Sequence, residues 1–105
     1  MTTFDKREEG FEKKFAHDEE LRFKATARRN KLLGLWAAEI LGKSSADAAA
    51  YAKDVVVADF EEDGHDDVVR KVAGDLAASG VSEQQVREKM VELLAEAVKQ
   101  VQAGT

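Results

Sequence analysis

The chain has 105 residues, a formal net charge of −5, 35% charged residues, and neither cysteine nor proline. Without cysteine, disulfides, zinc–thiolate sites and a cysteine nucleophile are excluded, and without proline nothing interrupts helices rich in alanine, leucine, valine, glutamate and lysine. The negative balance argues against general nucleic-acid binding, and a chain of this length suggests one domain with a modest core.

Residues 1–18 read as an arm rather than as part of a self-sufficient fold. Between positions 5 and 20, 11 of 16 residues are charged, seven acids and four bases. Such a segment buries too little to offset the roughly 1–2 kcal/mol per residue needed to order its backbone. Phe4, Phe11 and Phe15 stand seven and four residues apart, which places them on one face if the segment becomes helical. Two fates fit this spacing. The phenylalanines fold back onto the core, or they anchor the arm as a helix in a groove of a partner, and the density of flanking charge favours the partner. The arm is therefore expected to be mobile alone. It lacks the apolar segment of a secretory leader, so a soluble, cytoplasmic protein is expected.

The first firm helix is predicted over 18–41, closed by Gly42 in a left-handed conformation. Its second half, 32–41, is apolar at every position except Glu39, counting Gly34 as apolar, and carries the only tryptophan, Trp36. An all-round apolar helix is normally enclosed by protein. Ten residues at about 1.5 Å each are too short to cross a membrane, so this run predicts the central helix of a bundle, with Trp36 as a core anchor.

Ser44 opens a second helix, with Asp47 at the capping-box distance and Ala48, Ala52, Val55, Val56 and Phe60 at helical spacing. Gly64, among acids, marks a turn. A third helix begins near Asp66 and turns Val69, Val72, Ala73 and Leu76 inward until Gly80. Ser82 and Gln85 form the capping pair of a fourth helix, whose inward set is Val86, Met90, Leu93, Leu94, Ala97 and Val101. Gly34 and Gly74 lie inside helices at a cost of about 1 kcal/mol each, for which close helix–helix approach is one physical reason. The expected fold is an all-α four-helix bundle over 19–105 with a mobile N-terminal arm over 1–18.

Catalysis is not indicated. The serines sit near helix ends, and no phosphate-cradling glycine loop or nucleophile elbow is present. The acidic run beginning at Asp59 brushes a calcium loop but puts Arg70 where a bidentate glutamate is needed, so no metal is expected. Arg28, Arg29 and Lys31, with Lys24 one turn earlier, form the strongest basic cluster, suited to a phosphate such as that of an adenine nucleotide or to an acidic partner. The competing account is a solvated helix face balanced by Glu19 and Glu20.

Several blocks carry a family resemblance: Phe4-Asp5-Lys6-Arg7-Glu8, Glu12-Lys13-Lys14-Phe15, HDEELRFK over 17–24 and RRNKLLGLWAAE over 28–39. Tyr51-Ala52-Lys53, Ala58-Asp59-Phe60-Glu61-Glu62 and Asp66-Asp67-Val68 extend it across the chain. Together they resemble the zeta-subunit family, protein inhibitors of the F-type ATP synthase of alphaproteobacteria. The resemblance implies a non-enzymatic four-helix protein, without cofactor, whose arm enters a catalytic interface of the ATPase head, reaches towards the central stalk and blocks ATP hydrolysis. It also implies a cytoplasmic protein held at the inner membrane only through the synthase. Carried over by position, Phe4, Phe11 and Phe15 become apolar anchors of the arm, and Asp5, Arg7, Glu8 and Lys14 its polar contacts. A helical module that binds an adenine nucleotide through Arg28, Arg29 or Lys31 is the alternative.

Overall fold

The computed structural model describes residues 19–59 and 66–104. The expected arm, Phe60 and the acidic turn around Gly64 lie outside the described residues. Among the described residues four α-helices follow one another: α1, Glu19–Ile40; α2, Ser45–Ala58; α3, Asp66–Leu76; and α4, Glu83–Gln102, with a 3₁₀ turn at Ala77–Ser79 before α4.

The helix ends follow local chemistry. Gly42 closes α1 at φ +71°, its N–H donating to the Glu39 carbonyl at 3.1 Å while Lys43 N–H donates to the Ala38 carbonyl at 3.0 Å. This pair of bonds satisfies carbonyls that a helix end leaves open, and the left-handed turn is open to glycine without a Cβ penalty. Ser44 accepts from the Asp47 N–H and starts α2. At α4 the capping box is complete: Gln85 N–H donates to Ser82 Oγ at 3.1 Å, and Ser82 N–H donates to Gln85 Oε1 at 2.8 Å.

Helix α1 is the axis around which the others gather. Leu33, Ala37 and Ala38 of α1 meet Tyr51 and Val55 of α2, Val68, Val69, Val72 and Leu76 of α3, and Val86 and Met90 of α4 in one buried cluster. Neighbouring helices run antiparallel: Arg28 reaches Gln100 and Lys89 lies over Trp36, while Tyr51 reaches Asp75. A Cβ on Gly34 would stand 2.5 Å from Ala52 Cα, so the glycine lets the backbones of α1 and α2 touch. Gly74 has no such role, because nothing lies within 4 Å of the Cβ position.

Several inward expectations need correction. Leu35 and Ile40 are each 37% exposed, and Trp36 is half-buried against the core rather than enclosed by it. The reason is geometric: α2 and α4 flank α1, α3 is only 11 residues long, and a strip of α1's circumference is left to solvent. Leu94 is exposed, and Leu93 and Val101 are half-buried. Of the three valines of α2, Val55 is buried, Val56 half-buried and Val57 exposed, as successive rotations of about 100° require. Tyr51 and Ala58 complete that buried face, and Val68 joins the inward set of α3. Among the described residues no helix is long and apolar enough to cross a membrane.

Candidate partner-binding site

Phe4, Asp5, Arg7, Glu8, Phe11, Lys14 and Phe15 lie outside the described residues. The structure does show the helix into which that segment leads. Glu19 and Glu20 are the first described residues of α1. Along the following three turns runs a groove of about 570 Å³, with Leu21, Lys24, Arg28 and Lys31 of α1 on its lining, Val56 of α2 on one wall and Val101 and Gly104 at the end of α4 on the other. The inward spacing of Val56 and Val101 was the sequence signal for these walls; both emerge half-buried, at the edge of the core.

The basic cluster divides. Lys24, Arg28 and Lys31 share the groove, and Arg28 NH1 donates to Gln100 Oε1 at 2.9 Å, which ties the groove's middle to α4. Arg29 does not line it. Rotated about 100° from Arg28, it is 4% exposed and donates from Nε and NH2 to Asn30 Oδ1 at 3.1 and 2.9 Å. Burial holds its guanidinium below the usual arginine range, and the negative charge of Asp59 opposes that shift. A buried arginine keeps its charge only in the company of acceptors and counter-charge, so Arg29 and Asn30 belong to the polar interior of the bundle. Of the three residues expected to meet a nucleotide, two share one surface.

A second polar arrangement was not anticipated from sequence. The Tyr51 hydroxyl donates to Asp75 Oδ2 at 2.7 Å, and the Lys43 and Lys71 ammonium groups lie 5.6 and 5.1 Å from the ring centroid. Burial, then the Asp75 acceptor, raises the phenol above its ordinary range. The ring thus joins α2 to α3 with its hydroxyl proton retained.

A small all-helical bundle built on one long axial helix, with a basic groove where that helix begins, is the class of protein this structure defines. The chain matches the family of ATPase inhibitor subunit zeta over residues 1–100, and it belongs to that family. It is also similar to a protein solved in solution by NMR, with 55% sequence identity and a TM-score of 0.74 over 81% of this chain and 99% of the other. No curated protein matches it.

Proposed function

We propose that the chain inhibits the F-type ATP synthase by inserting residues 1–18, as a helix, at a catalytic interface of the ATPase head near the rotor stalk. The observation that carries this reading is the family match over residues 1–100, which includes the whole arm. The chemistry of the arm supports it: three phenylalanines on one helical face supply apolar anchors, and the charges between them supply a polar rim. In this reading the arm is mobile in the free protein and orders on binding, and the four helices hold it at the point of entry. Phe4, Phe11 and Phe15 enter apolar pockets, while Asp5, Arg7, Glu8 and Lys14 meet the rim. The protein acts without catalysis of its own and resides in the cytoplasm, bound to the membrane through the synthase alone.

The test is steady-state ATP hydrolysis by the purified ATPase against inhibitor concentration. Deletion of residues 2–15 abolishes inhibition while circular dichroism shows the helices retained. A folded deletion variant that inhibits as well as the full chain overturns the arm mechanism. An adenine nucleotide in the groove of Arg28 and Lys31 is the second reading, favoured by their shared surface and weakened by the burial of Arg29. Titration of the isolated protein with nucleotide distinguishes it.

A further inference from the structure

Lys24, Arg28 and Lys31 follow one another at spacings of four and three on α1, which stacks them along a single face. They do so in a protein whose net charge is −5, so this stripe runs against the prevailing field. Lys24 is bound only to its own helix, through Glu20 at 3.2 Å, and this exposed pair adds little to stability. The groove beside the stripe adds apolar edges in Leu21 and Val101. One structural fact gives the stripe a position as well as a charge. It lies on α1, between about 8 and 18 Å from Glu19 along the axis at 1.5 Å per residue. In the arm reading, a partner that grips the chain up to residue 18 stands next to this end of α1.

We infer that the outer face of α1 bearing Lys24, Arg28 and Lys31 is a second contact surface, which meets an acidic protein surface bordering the entry point of the arm. The inference rests on the arm reading above and adds a separate role. The arm supplies desolvated anchors, and the stripe supplies electrostatic attraction that speeds and orients docking. Contacts of this rim type act chiefly on the association rate and are weakened by salt, because the Debye length falls from about 10 Å at 0.1 M to about 3 Å at 1 M. The stripe also fixes the rotation of the bundle about the axis of α1, which arm insertion alone leaves open.

The test uses the full chain with Lys24→Glu and Lys31→Glu together, both on the protein surface, and leaves Arg28 with its Gln100 bond. Inhibition of ATP hydrolysis is titrated at low and at high salt, and circular dichroism checks the fold. The expected result is a half-inhibitory concentration raised about tenfold at low salt, with the difference vanishing at high salt and complete inhibition still reached. An unchanged value at both salts overturns the inference. So does an equal rise at both, which rules out charge attraction, and so does a lowered value, which shows that the stripe instead opposes inhibition. The full-length Phe11→Ala/Phe15→Ala variant separates the two readings: if it inhibits normally the arm mechanism fails, whatever the stripe does.

Discussion

From Leu33 onward α1 encloses Leu33, Ala37 and Ala38 and sets Gly34 against the backbone of Ala52, whereas the stretch before Leu33 buries Arg29 and Asn30 beside Ala25 and lays Lys24, Arg28 and Lys31 along an open groove. One continuous helix thus changes character over two turns. The apolar half is held by contact over short distances, where a single methylene is felt, and the polar half by a buried hydrogen-bonded pair and a surface of fixed charge. The difference teaches how a small protein can keep a charged open groove at one end without risking its core at the other. Apolar packing is concentrated away from the arm, and the end next to the arm is stabilised by polar interactions that tolerate water and a partner nearby.

Substitutions at the two ends sharpen this contrast. Leu33→Ala empties a site with no exposure and is expected to cost about 2–5 kcal/mol, the largest effect here. At about 4–8 °C per kcal/mol for a domain of this size, thermal denaturation reads it directly. Asn30→Ala withdraws the acceptor from Arg29 Nε and NH2 and is expected to cost about 1–3 kcal/mol, with loss concentrated in the N-terminal half of α1. Hydrogen exchange resolved by residue locates it. If Asn30→Ala instead lowers protection around Leu33 and Ala37 as much as around Ala25, the two halves are one cooperative unit and the contrast fails.

The two helical glycines give the smallest and most discriminating pair. Gly34→Ala gains about 1 kcal/mol of helix propensity but forces α1 away from Ala52, an overpacking cost of about 1–3 kcal/mol, so the net change is destabilising. Gly74→Ala meets nothing within 4 Å and is expected to stabilise by about 0.5–1 kcal/mol. Denaturant midpoints with unchanged m-values decide both, and equal signs for the two substitutions would contradict the assigned contact.

What was legible in the sequence follows the range of the physics. The Ser82–Gln85 capping box, the end of α1 at Gly42 and the four helices of the described residues rest on interactions within a few residues and appear in the structure, whereas Gly80 closes the 3₁₀ turn that follows α3, which itself ends at Leu76. Gly34 could be recognised as anomalous, but its partner Ala52 could not, since that contact exists only once α1 and α2 are crossed. The same holds for Tyr51 with Asp75 and for the division of Arg28 from Arg29. Their spacing says that they diverge by about 100°, and only the placement of α2 and α4 says which of them is inside. The run over 32–41 misled for a related reason: its neighbours leave one strip of the helix uncovered, so Leu35 and Ile40 stay exposed.

The close approach at Gly34 also has a mechanical meaning. Force applied at Glu19 enters along the axis of α1, whose flanks lie against α2 and α4. Antiparallel neighbours loaded in this direction are sheared, so contacts along the helix resist together instead of parting one turn at a time. Backbones locked at Gly34 and Ala52 and the half-buried Trp36 beside Lys89 act as catches against sliding. Survival under load depends on the unfolding rate rather than on equilibrium stability. A bundle loaded along its axial helix is therefore well placed to withstand tugging that would peel a peripheral helix away.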